Sequence, residues 1–160
     1  MLASPCGLLA LICVCSTASI CLGCNSGAEV ELPTLTSRDD AITLLQSNGG
    51  DVRQDDGQVV IDLQDVNVGP SHFETFKFLE DTTELNLNRS TVTDNGLEHL
   101  AALPRLKRLH LQDTQISDAG IQHLLGLAQL EHLDLQRTQV TISGSQLVAD
   151  SIAGVHIVGP

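Results

Sequence analysis

Apolar residues return along this chain at a fixed interval. Leu85-Asn86-Leu87 reappears as Leu109-His110-Leu111 and again as Leu133-Asp134-Leu135, each copy 24 residues after the last. Between these anchors Ser90, Thr114 and Thr138 share a register, as do Val92, Ile116 and Val140, then Asp94 with Asp118, Gly96 with Gly120, and Leu97 and Leu100 with Ile121 and Leu124. Two shorter periods alternate inside each unit. Leu109 and Leu111 are interleaved with Arg108, His110 and Gln112, the period-two pattern of a strand with one buried face, whereas Ile121, Leu124 and Leu127 recur every three residues, as on a helix. Thr93, Ser117 and Thr141 stand where an N-cap hydroxyl belongs, and Asp94 and Asp118 place negative charge at the positive end of the helix dipole. Pro70, in the same register as Asp94, suits the first helical position.

The array reaches further in both directions. Upstream, Ile61-Asp62-Leu63 opens a diverged unit with Val68, Phe73, Phe76 and Leu79 in register; downstream, Ile157 and Gly144 mark a degraded last unit. The consensus L-x-x-L-x-L-x-x-T followed by [VI]-[TS]-D-x-G-[LI]-x-x-L resembles the leucine-rich repeat family, in the Thr-containing, 24-residue variety of exported bacterial proteins, over residues 59–160. That resemblance implies an α/β solenoid of about four repeats, with parallel strands on the concave face and helices on the convex one. Before it, 36–58 reads as an N-terminal cap: a helix from Thr36-Ser37-Arg38 to Asn48-Gly49-Gly50, then a hairpin turning at Asp55-Asp56-Gly57. One such unit cannot bury enough apolar surface to offset about 1.5 kcal/mol of ordering entropy per residue, so stability must come from stacking neighbours.

Composition narrows the chemistry. A net charge of −12, with no cluster of Lys or Arg, removes the counterion-release term that drives nucleic-acid binding. All five cysteines lie in residues 1–24, so the repeats hold no thiol for redox, metal or nucleophilic work. Residues 1–24 are uncharged and carry the run Leu8 to Cys15, the pattern of an export signal; Cys21-Leu22-Gly23-Cys24 resembles a bacterial lipobox, which implies lipidation at Cys24 and a membrane-anchored protein of the cell envelope. An ordinary secretory signal or an uncleaved anchor stays open. Residues 25–35 read as a flexible tether.

Stacked strands turn equal registers into ladders. One reads Val60, Glu84, Arg108, His132, His156; the next Asp62, Asn86, His110, Asp134, Val158; a third Gln64, Asn88, Gln112, Gln136. Glu84, Asn86, Asn88, Arg108, His110, Gln112, His132, Asp134 and Gln136 are therefore the candidate contacts of a non-enzymatic module binding a protein or other polar ligand, with no cofactor. His110, His132, Asp134 and His156 admit a metal site or an acid–base pair as the alternative reading, and no H-E-x-x-H or G-x-S-x-G motif supports it. Asp65, Arg89, Asp113 and Arg137 alternate in sign and suit a structural ladder. A third reading is an assembly component that self-associates through the strand edge at Val155-His156-Ile157-Val158.

Overall fold

The computed structural model describes residues 35–159 apart from Asp56. The expected export signal, the lipobox at Cys24 and nearly all of the tether lie outside these residues. The first element, α1 (Arg38–Ser47), is capped by Ser37, whose side chain accepts from the Asp40 N–H. The hairpin β1 (Asp51–Asp55) and β2 (Gln58–Asp62) follows, and β2 pairs in parallel with β3 (Thr82–Asn86). Three short strands, β4 (Arg108–His110), β5 (His132–Asp134) and β6 (His156–Val158), extend the sheet in chain order. Leu85, Leu109, Leu133 and Ile157 stand in one cross-strand register, 24 residues apart. Leu87, Leu111 and Leu135 are fully buried, so the predicted aliphatic column exists.

The opposite wall is less helical than the sequence period implies. After β2 comes α2 (Pro70–Thr75) with a 3₁₀ turn, and after β3 only one α-turn, α3 (Asp94–Leu97), running into a 3₁₀ segment. True helices return as α4 (Asp118–Leu124) and α5 (Ile142–Ser151). A coil of 24 residues leaves little chain for the return path once strand and turn are built. The tighter 3₁₀ rise, about 2.0 Å per residue, spans it with fewer residues.

Two regular devices hold the coils together; the first is the charge ladder expected from the sequence, with a backbone conformation the sequence did not announce. At the strand exits Asp65, Arg89, Asp113 and Arg137 all adopt left-handed backbone with φ of 55–60°. Such a conformation costs a non-glycine residue roughly 1–2 kcal/mol. The same residues form ion pairs across coils, Arg89–Asp65 at 2.7 Å and Arg137–Asp113 at 3.2 Å. The Asp65, Arg89 and Asp113 amides also donate to the carbonyls of Asn88, Gln112 and Gln136 one coil on.

The second device adds to the role given to Asp94 and Asp118, which do stand in the first turns of their helices. Each carboxylate grips the next coil: Asp94 accepts from the Ser117 N–H at 2.8 Å and its hydroxyl at 2.6 Å, and Asp118 from the Thr141 N–H at 2.8 Å and its hydroxyl at 2.7 Å. The glycines of the repeat answer this clamp, because a Cβ at Gly120 would overlap Asp94 Oδ1 and one at Gly144 would overlap Asp118 Oδ1. In the first coil Pro70 cannot clamp. Gly96 there faces the Phe73 ring, and Thr93 makes no side-chain cap bond, contrary to its sequence reading. Ser117 and Thr141 do cap their helices.

Thr114 and Thr138 donate their hydroxyls to the carbonyls of Leu111 and Leu135, as the turn outward requires. His72, only 5% exposed, accepts the Gly69 N–H on Nδ1 at 3.1 Å, and burial holds its pKa below the ordinary histidine value.

Two predictions follow from this packing. Asp94→Ala should cost about 1–2 kcal/mol in urea melts, since two donors lose their acceptor. Gly120→Ala should destabilise the natural chain, and destabilise it less beside Asp94→Ala, where the carboxylate is gone and only the backbone Cα of residue 94, 3.1 Å from the new Cβ, still crowds it. Additivity of the two changes would contradict the clamp. For His72 the folded pKa is the lower one, so the unfolded chain binds the proton more readily. Its contribution is complete above about pH 6.5 and declines as pH falls through the folded value. His72→Asn keeps an acceptor for Gly69 but cannot titrate in this range, and should flatten the stability slope between pH 7 and 5.

Candidate functional site

Because β3 to β5 alternate a buried leucine, and β6 a half-buried isoleucine, with outward residues, their polar side chains fall into two columns on the open face of the sheet. Glu84, Arg108, His132 and His156 pair strand to strand in one column, and Asn86, His110, Asp134 and Val158 in the other. The cross-strand registers predicted from the sequence are those observed.

Hydrogen bonding divides the nine candidate residues into two groups. A strand that turns outward exposes the N–H of the residue two beyond the second column. Asn86 Oδ1 accepts that N–H from Asn88 at 3.1 Å, and Asp134 Oδ1 accepts it from Gln136 at 3.0 Å, as Asp62 Oδ1 does for Gln64. These side chains make local Asx-type turns. His110 occupies the same register, and there Asn88 of the preceding coil reaches across to accept from the Gln112 N–H at 2.8 Å. Asn86, Asn88 and Asp134 are therefore engaged in finishing the strands. Gln112 and Gln136 lie beside them as recipients of that capping, and Gln112 lines a polar cavity of about 200 Å³ with Gln64, Asn88, Arg89 and Asp113.

The second group makes no bond to the backbone. Glu84 takes the Arg108 guanidinium on one oxygen, with both Nε and Nη2 at 2.6 Å, and its other oxygen lies 3.7 Å from His110 Nε2. The His110 and His132 rings sit 5.5 Å apart at 52°, and the His132 and His156 rings 5.4 Å apart at 9°. Burial, then His110 and then His156, press the His132 pKa below the ordinary value, while Asp134 works against them. His156 completes this row, although the sequence reading placed it with the metal alternative and not among the partner contacts.

The stacked geometry argues against the metal reading. Side chains projecting side by side from parallel strands do not converge on a point, as a tetrahedral ligand set must. Among the described residues no group of three or more His, Cys, Asp or Glu side chains could hold a metal ion. The remaining histidines lie elsewhere: His99 stacks on Phe73 at 5.3 Å, and His123 is exposed on α4.

Comparison with known proteins agrees with this architecture. Residues 83–101 and 103–125 match the model described as a leucine-rich repeat. No curated protein matches the sequence significantly. Among solved structures, an internalin from Listeria monocytogenes is 21% identical, with a TM-score of 0.46 over 54% of this chain and 24% of its own. A leucine-rich repeat protein from Leptospira interrogans is 16% identical, with a TM-score of 0.42 over 58% of this chain and 28% of its own. This chain thus spans about a quarter of the length of either bacterial protein. The structure of leiomodin-1 actin-binding site 2 is 15% identical, with a TM-score of 0.51 over 76% of this chain and 77% of its own.

The histidine row has a direct spectroscopic check. In a ¹H–¹⁵N titration His132 should protonate below the ordinary histidine range, and His156→Gln should move its midpoint up, because one of the charges opposing its protonation is gone. A His132 midpoint unmoved by that substitution would show that the rings do not meet in solution.

Proposed function

From a solenoid with leucine-rich repeats at 83–101 and 103–125, we propose that this chain is a non-enzymatic protein-interaction module, tethered in the cell envelope through its N-terminal segment, that binds a partner across the open face of its sheet. The supporting observation is the contrast within that face. Asn86, Asn88 and Asp134 are engaged in closing the backbone, whereas the Arg108, His110, His132 and His156 side chains make no hydrogen bond to it. A folded domain has no structural need for such a row. The leiomodin structure of the same fold is an actin-binding site, which supports a protein as the class of partner without naming one.

Size sets the mode of binding. Strands about 4.8 Å apart give a face of only a few hundred Å², less than the roughly 800 Å² that each side of a stable interface buries. Affinity must then come from a flank or from several copies held on one membrane, which a lipid at Cys24 would supply. A second contact surface is available for self-association: Ile142 is 75% exposed and Leu147 43% exposed, both on α5 beside the β6 edge.

A photo-reactive residue placed at 132 in the full chain should give a protein adduct in native membranes, while the same residue at Gln122 on the helical side should not. Arg108→Ala with His132→Ala should abolish the adduct from a neighbouring probe at 86 yet change stability by about 0.5 kcal/mol or less. Adducts from 122 alone would place the function on the other wall.

A further inference from the structure

The row His110–His132–His156 is the one place among the described residues where three imidazoles meet, ring centroids 5.4–5.5 Å apart on three successive strands. Its electrostatic surroundings are few and fixed. From β3, Glu84 faces it and is bound to Arg108; from β4 come Arg108 and His110 themselves. From β5 come His132 and Asp134, whose Oδ1 is engaged by the Gln136 N–H, and from β6 only His156. Asp62 on β2 lies one column step beyond Asn86, and the Lys107–Glu131 pair flanks the strand entries and neutralises itself at 2.9 Å. No carboxylate of the described residues forms an ion pair with His132 or His156, and Asp134 is the carboxylate that favours a proton on His132.

We infer that this row is a proton-gated binding site for a carboxylate-rich polypeptide segment, and the inference rests on the proposed use of the open sheet face. With neutral imidazoles, Arg108, Glu84 and Asp134 leave the row at a net −1. With three imidazolium ions it stands at +2, on a protein whose formal charge is −12. The sign of the row reverses while the rest of the surface stays acidic. An acidic partner is repelled while the imidazoles are neutral and drawn to this one place once they carry protons. Three like charges at this spacing disfavour one another, which adds to the effect of burial in lowering the affinity of His132 for its proton. A ligand carboxylate laid along the row relieves that repulsion, so binding takes up protons and protonation strengthens binding. The backbone does not take part, since these rings carry none of its hydrogen bonds.

The test uses the full chain, a fluorescent deca-aspartate peptide, and phosphatidylglycerol vesicles, each at pH 5.5 and pH 7.5. Three weak, exposed charge contacts should make the peptide bind about tenfold more tightly at pH 5.5, and added salt should erode the difference. His110→Gln/His132→Gln/His156→Gln should remove the pH dependence while leaving the melting temperature at pH 7.5 unchanged. Equal affinity at both pH values, retention of the effect in the triple variant, or pH-dependent binding of vesicles but not of peptide would each overturn the inference. Photo-crosslinking from position 136, which is exposed beside the row and leaves all three imidazoles in place, separates this failure from that of the underlying reading. Adducts that form equally at both pH values leave the face in use and refute only the gate, whereas no adduct at either pH removes the face itself.

Discussion

The whole molecule depends on one distance, the step from a coil to its neighbour. The polar interactions that recur from coil to coil link residues 23 or 24 apart: the backbone ladder at the strand exits, the Arg89–Asp65 and Arg137–Asp113 pairs, and the carboxylate clamps of Asp94 and Asp118. Each coil hides its leucines only when another coil lies above it. Change the step and the column of Leu85, Leu109 and Leu133 loses its packing together with all three polar ladders. The left-handed residues at the strand exits are tolerated on the same account. Their backbone cost is local, whereas the bonds they permit recur in each coil.

The same step shows where one of the repeating bonds is replaced by another: Thr91 accepts from the Val68 N–H and donates to Asn67 across the first two coils. Between the first two coils the clamp is missing, since Pro70 has no acceptor to offer Thr93, and the Phe73 ring takes the place of the carboxylate against Gly96. An aromatic contact replaces a directional one. Ser90, in the Thr114 register of the second coil, has a buried hydroxyl with no hydrogen-bond partner among the described residues. The N-terminal helix compensates from outside the array through the Arg38–Asp81 ion pair and the burial of Ala41 and Leu45. A solenoid whose first interface is its least regular needs such a cap, because the apolar top of an end coil is otherwise left in water.

Much of this was legible in the residues because a repeat multiplies weak signals. A single leucine alternation is ambiguous, but three copies in register identified the strands and their pairing before any coordinates. What escaped was the use of polar groups. Asp94 reads equally well as a helix-end charge or as a clamp, and only the distance to Ser117 separates the two. The clue was present in Gly120, a residue poorly suited to a helix interior that recurs two places after each Asp. The nine candidate contacts likewise looked equivalent along the sequence. The strand exit makes three of them structural, and no pattern of residue types reveals which N–H lacks an acceptor. The 3₁₀ character of the second coil was invisible for a related reason, since periods of 3.0 and 3.6 do not diverge over a single turn.

The coil step also limits the chemistry the face can perform. Side chains from parallel strands arrive side by side, at 5.4–5.5 Å between the imidazole centres, and the backbone that fixes their spacing also fixes their direction. Convergence on a metal or a scissile bond would need at least one residue from another direction, such as a loop folded over the sheet, and the described residues contain none. Parallel presentation suits functions that add: several weak contacts along one line, or several charges whose fields sum. Stacking that disfavours a tetrahedral site thus favours a row of imidazoles acting together.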